Sequence, residues 1–154
     1  MKGYISKSGV VMSNKQLKGF DYDEDKKDLP NLDFKTKLVI DTKDFINTIK
    51  TFKLFKISSV IITSEDVEIL FNGNEEFSNI KIILKTIFEK SEYLKGENET
   101  VKSQMSIDYL NDFIKSLDKK LIEEKEMTIY LDTDYPIKIE IGDLIYIQAP
   151  RVVD

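Results

Sequence analysis

The 154-residue chain contains no cysteine and no histidine. Without cysteine, disulfides and thiolate metal sites are excluded, and redox chemistry gives no sign of compartment. Without histidine, the usual general base near neutral pH and the commonest metal ligand are both missing. Any catalysis would rest on carboxylates, lysines, tyrosines or hydroxyls. No apolar run approaches the roughly 20 residues of a membrane span, so no membrane association is expected. The opening Met1-Lys2-Gly3-Tyr4-Ile5-Ser6 lacks the apolar core of a signal peptide, so the expected compartment is cytoplasmic. Net positive charge is missing as well. A net charge of −5 argues against a generally basic nucleic-acid binder but leaves room for a local basic face.

A hydrophobic content of 41% beside 33% charged residues fits one soluble globular domain. Residues 1–20 alternate weakly and predict one or two short strands. Asp21 to Asp28 (DYDEDKKD) reads as a solvated linker. The spacing of Asp21, Asp23 and Asp25 is that of a calcium loop. Lys26, however, stands where that loop needs glycine, and the closing glutamate is missing.

From Phe34 the pattern becomes regular. A strand is predicted over Phe34–Ile40, then a helix capped at Asp41-Thr42 and running to about Phe52. Its apolar stripe is Phe45, Ile46, Ile49 and Phe52. Strands follow at Ser59–Thr63, Val67–Asn72 and Phe77–Leu84, with Asn72-Gly73 as a hairpin signal. Lys85 to Glu99 reads as a polar connector. Its Asn98-Glu99-Thr100 sequon carries no weight without secretion. The order then repeats: strand Thr100–Met105, a helix capped by Ser106 and running to about Lys119, and strands Met127–Leu131, Ile137–Ile141 and Leu144–Gln148. A shift of 65 residues superposes Phe45 on Leu110, Ile49 on Ile114, Phe52 on Leu117 and Lys50 on Lys115. Two such units predict paired sheets with two helices side by side on one face.

The last two strands form a hairpin about Gly142-Asp143, where glycine accepts the positive φ of a primed turn. Pro150 ends the ladder, leaving an apolar tail. On the helices, Lys43, Asn47 and Lys50 lie opposite Phe45, Ile49 and Phe52. Lys115 and Lys119 lie opposite Leu110 and Leu117, diluted by Asp108 and Asp112. Such faces are ordinarily solvated, and they also suit sequence-independent phosphate contact.

Tyr135-Pro136-Ile137-Lys138-Ile139-Glu140-Ile141 followed by Leu144-Ile145-Tyr146-Ile147-Gln148-Ala149-Pro150-Arg151-Val152 resembles the C-terminus of the proliferating cell nuclear antigen (PCNA) sliding clamps of archaea and eukaryotes. Ser106 to Phe113 resembles the family's second-domain helix, and Leu29-Pro30-Asn31-Leu32-Asp33-Phe34 the end of its interdomain connector. The resemblance covers 29–154 as one clamp domain of two β-α-β-β-β repeats, an α+β fold. Residues 1–28 would be the remnant of a first domain and the connector. By the same resemblance, the rest of the family's first domain would have no counterpart in these residues.

The resemblance implies a non-enzymatic ring, without cofactor or metal, that encircles duplex DNA as an oligomer. Short peptide motifs would tether DNA polymerase, ligase, nuclease or clamp loader to it. It implies an archaeal or virus-infected cell, or the nucleus of a eukaryote. By position, Lys50 and Lys115 match the family's DNA-facing residues, and periodicity adds Lys43 and Lys119. Leu29 and Pro30 match one wall of the partner-peptide groove, and Pro136, Ile147, Ala149, Pro150, Arg151 and Val152 the other. The strand over Phe77–Leu84, with Ile80, Ile82 and Leu84, matches the subunit edge. The remnant's last strand would match the opposite edge. The alternative is a half-clamp module that binds clamp subunits or clamp partners without enclosing DNA. A third reading takes Asp132 and Asp134 as metal-binding carboxylates, although two acids in a turn are ordinary strand-end punctuation.

Overall fold

The computed structural model describes residues 2–6, 10–13, 22–26, 32–65, 68–75, 78–94 and 100–151, with side chains from residue 32 onward except at 74, 75 and 78. Leu29, Pro30 and Val152 lie outside the described residues. In chain order the elements are β1 (Lys2–Ser6), β2 (Val10–Ser13), β3 (Tyr22–Lys26), β4 (Thr36–Asp41), α1 (Thr42–Leu54), β5 (Ser59–Glu65), β6 (Glu68–Glu75) and β7 (Ser78–Lys85). Next come a 3-10 turn (Phe88–Lys90), β8 (Glu92–Tyr93), β9 (Val101–Ser106), α2 (Ile107–Ser116), α3 (Lys119–Ile122), β10 (Glu126–Leu131), β11 (Ile137–Ile141) and β12 (Leu144–Gln148). They build an eight-stranded sheet, β3-β1-β2-β12-β11-β10-β4-β8, and a four-stranded sheet, β7-β6-β5-β9.

Both repeats follow the predicted order, and β4 and β9 begin 65 residues apart, as do α1 and α2. The repeats exchange partners. β4 pairs antiparallel with β10, and β5 with β9, so each sheet holds strands from both halves. The helices copy this exchange. The Thr42 N–H donates to the Lys125 carbonyl at 3.0 Å, just before β10, and the Ile107 N–H donates to the Ser58 carbonyl at 2.9 Å, just before β5.

Local chemistry sets the helix ends. The Asp41 side chain accepts from the Asp44 N–H at 3.0 Å and the Ser106 hydroxyl from the Tyr109 N–H at 3.3 Å, satisfying amides that the helix leaves unpaired. α1 stops in a Schellman arrangement. Lys56 takes a left-handed φ of 60° and donates to the Lys53 carbonyl, while the Ile57 N–H reaches the Phe52 carbonyl at 3.0 Å. The stripes Phe45, Ile46, Ile49, Phe52 and Ile107, Leu110, Phe113, Ile114 are buried against the sheets, whose strands alternate inward and outward.

Four expectations are corrected. Asn72-Gly73 is not a turn. Both residues lie inside β6, with Asn72 opposite Lys81 and Gly73 opposite Ile80. A Cβ on Gly73 would stand 2.8 Å from both Ile57 Cγ2 and Phe52 Cε1, so glycine serves the approach of α1 to the sheet. Second, α2 ends at Ser116 rather than near Lys119. Leu117 is extended, and Asp118 caps a separate short helix by accepting from the Leu121 N–H at 2.9 Å. Third, the charged stretch expected as a solvated linker contains β3, antiparallel to β1. Fourth, the 85–99 connector is partly built. The Ile87 N–H reaches the Val39 carbonyl, the Leu94 N–H reaches the Lys35 carbonyl, and β8 pairs with β4.

Candidate functional site

α1 and α2 lie side by side, and their outward residues form one face. Lys43, Lys50, Lys53 and Lys115 are exposed on it, together with Asp44, Asp108 and Asp112. Lys119 does not share the α2 face, because it opens α3. Sequence periodicity missed Lys53, although it stands one turn beyond Lys50. Its Nζ meets Asp108 Oδ1 at 2.7 Å across the helix pair. That hydrogen bond, and the charge behind it, push the Lys53 ammonium above its ordinary pKa. Both partners are largely solvated, so the pair orients side chains more than it stabilises the fold.

The four-stranded sheet ends at β7, whose outer backbone edge has no partner strand among the described residues. Ile80, Ile82 and Leu84 point inward, half-buried against the core, whereas Ile83 points outward and is 58% exposed. Ile80 sits opposite Gly73, beneath the end of α1. Leu54 and Phe55 at that end are 77% and 53% exposed. Sequence reasoning missed this pair. Its signal is two apolar residues lying off the helical stripe.

The C-terminal hairpin is the third feature. Gly142 takes φ 57°, as the turn demands, and Ile141 pairs with Leu144. Its two ends close the seam between the sheets. The Asp134 N–H donates to the Lys102 carbonyl at 3.1 Å, and the Arg151 N–H to the Gln104 carbonyl at 2.7 Å. Asp132 accepts from the Thr133 N–H at 2.8 Å, so both carboxylate-bearing residues of the third reading hold turn geometry. Among the described residues no group of three acidic side chains is placed to hold a metal. Pro136 and Pro150 are half-buried, Ile147 is buried, and Ala149 and Arg151 are exposed.

Beside Pro136 an aromatic cluster joins the residues after the connector to the hairpin. The Phe34 ring lies 5.7 Å from Tyr130 and 5.4 Å, edge-on, from Tyr135. The Asp33 N–H donates to the Tyr135 hydroxyl at 3.2 Å. Lys138 Nζ stands 4.2 Å above the Tyr130 ring and 5.6 Å from that of Phe34. Burial raises the Tyr130 phenol above its ordinary pKa of 10.0, and a hydrogen bond to Glu140 adds to the shift. The sign follows directly. The unfolded chain releases this proton first, so its contribution is intact below pH 10 and is lost as pH rises beyond it. Tyr130→Phe is expected to flatten the alkaline unfolding curve above that pH, read by circular dichroism beside tyrosinate absorbance. An unchanged alkaline midpoint would refute this.

No protein-family model matches the chain. A DNA polymerase sliding clamp of Pyrococcus abyssi is 30% identical over 153 residues, which is 96% of this chain and 59% of that protein. One from Methanocella arvoryzae is 45% identical over 58 residues, 34% of this chain and 22% of its own length. This chain is a relative of the DNA sliding clamps. It spans 59% of the Pyrococcus clamp it matches. Among solved structures, PCNA of Thermococcus kodakaraensis superposes with a TM-score of 0.66 at 18% identity, covering 96% of this chain and 67% of that one. PCNA of Entamoeba histolytica gives 0.69 at 16%, over 95% and 60%. PCNA of A. fulgidus, solved with the C-terminal region of FEN-1 bound, gives 0.63 at 21%, over 98% and 64%. The described architecture is thus the clamp α+β fold, two antiparallel sheets carrying a helix pair. No described helix is long and apolar enough to cross a membrane.

Proposed function

We propose that this chain is a sliding clamp or clamp-like processivity factor of the cytoplasm, non-enzymatic, that assembles into a ring about duplex DNA and tethers replication and repair proteins. The observation that carries the reading is the helix pair. Its lysines project away from both sheets on one continuous face, where they can meet phosphates without reading sequence. Lys43, Lys50 and Lys115 are assigned that role, joined by Lys53, while Lys119 would contribute only from α3.

β7 is the subunit edge, because unpaired N–H and C=O groups invite a further strand. Ile80, Ile82 and Leu84 would be covered by a neighbouring subunit, with Leu54 and Phe55 adding apolar area. Pro136, Ala149, Pro150 and Arg151, with Ile147 buried behind them, would form one wall of a groove for peptides with aliphatic and aromatic anchors, and the resemblance assigns Val152, Leu29 and Pro30 to the same groove. The FEN-1 segment bound to the A. fulgidus clamp names the partner class, and polymerase, ligase or clamp loader would dock likewise.

Light scattering is expected to give an oligomer, and a polymerase is expected to be retained on circular but not on linear DNA. Changing Lys50 and Lys115 together to alanine should weaken DNA association and reduce the salt slope by about one per lysine. A strict monomer with no effect on processivity would overturn the reading. One observation favours the half-clamp alternative. Three aspartates share the helix face with the lysines, and one of them already holds Lys53. Inhibition of a complete clamp by this chain, lost in Pro136→Ala, would establish that alternative.

A further inference from the structure

The Lys138 cluster has no place in the groove as drawn from the resemblance, yet it lies beside residues of that groove's hairpin wall. Lys138 stands in register with Tyr130 on one neighbouring strand and with Ile147 on the other. Its side chain reaches the Tyr130 and Phe34 rings instead of open solvent. Phe34, at the end of the connector stretch, is only 3% exposed. Its ring lies against Tyr135, next to Pro136, and the Asp33 amide is tied to the same Tyr135. An ammonium over two aromatic faces is attracted by their negative quadrupoles, more strongly where water is excluded. Its methylene stem lies along the same strand face.

We propose that Lys138 is a positioning residue for partner-peptide docking, holding Phe34, and with it Asp33–Lys35, against the C-terminal hairpin beside Ile147 and Pro136. This rests on the peptide-groove reading above. From β11 this cation holds aromatics of two other chain segments, Phe34 just ahead of β4 and Tyr130 in β10. A neutral side chain of equal length would fill the space without that attraction. Arginine, whose planar guanidinium also stacks on rings, would keep it.

The test compares Lys138→Met and Lys138→Arg with the parent chain. Amide hydrogen exchange is followed at Asp33 to Lys35, and affinity is measured for a synthetic peptide of the FEN-1 C-terminal region. In Lys138→Met, exchange at Asp33 is expected to rise roughly 3- to 10-fold and the peptide dissociation constant to rise by a similar factor, while Lys138→Arg stays within about twofold of the parent. A peptide that binds the parent and Lys138→Met equally overturns the proposal, as does unchanged exchange at Asp33. Equal losses in the arginine and methionine variants also overturn it, because they would show a purely steric role. A parent chain that takes no peptide overturns the groove reading itself and the proposal with it. The two failures are therefore distinguishable by the parent's own affinity.

Discussion

Phe113→Ala is expected to lower the free energy of unfolding by about 3–5 kcal/mol, the largest loss from any single truncation considered. Phe113 is fully buried in the middle of α2, and its ring stacks on that of Tyr146 at 4.1 Å and 13°. The Tyr146 hydroxyl donates to Gln148 Oε1 at 2.7 Å, and Gln148 Nε2 reaches the Ser106 carbonyl at 3.3 Å, at the cap of the same helix. Removing the ring therefore opens a cavity and frees the buried pair of Tyr146 hydroxyl and Gln148 carboxamide to shift. Both effects loosen the hairpin from α2. Phe113→Leu refills most of the volume and should cost about 1–2 kcal/mol, the residue being the lost ring contact. Urea titration decides the matter. Natural domains are stable by only about 5–15 kcal/mol, so the alanine variant should show a lower midpoint at an unchanged slope. A loss below about 1 kcal/mol would mean that the ring stack is not holding the hairpin.

Gly73→Ala carries the second-largest expectation, a loss of about 1–3 kcal/mol, with Gly73→Val costing more. Backbone conformation is not the cause. The space is, because the added Cβ would meet Ile57 Cγ2 and Phe52 Cε1 at 2.8 Å and Phe52 Cδ1 at 2.9 Å. Those two residues close α1 through its Schellman bonds, so α1 or β6 must move. Strand propensity alone argues the other way, since glycine weakens strand interiors. The melting temperature therefore discriminates. A fall of several degrees fits the steric account, at roughly 2–4 °C per kcal/mol for a chain of this size, whereas a rise would refute it. Phe52→Leu combined with Gly73→Ala should recover part of the loss, as expected for residues in contact.

The same glycine shows where sequence reasoning stopped. Asn72-Gly73 is a turn signal by local chemistry, but the approach of a helix from elsewhere in the chain decided its use. The end of α2 was hidden for a related reason. Leu117 and Leu121 are both buried, so the apolar period runs on while the backbone breaks between them. Asp118 with Leu121 was the available sign of a new cap. The repeat, the inward stripes and the final hairpin were legible because both periods are strong and Gly142 needs its positive φ. Lys43 and Lys50 of α1 and Lys115 of α2 were legible from angle alone, whereas Lys53 was not. The Lys53–Asp108 bridge and the Lys138 cluster were not, since each depends on which elements become neighbours and in what register.

The exchange of strands between the repeats bears on how the chain is made. When β5 leaves the ribosome its partner β9 has not been synthesised, and β4 likewise waits for β10. At roughly 5–20 residues per second the wait lasts on the order of seconds. Throughout it, α1 has only part of its floor and two strand edges stand open. The nascent first repeat is therefore an aggregation-exposed intermediate rather than a finished half. Translation speed through the connector sets how long it remains so.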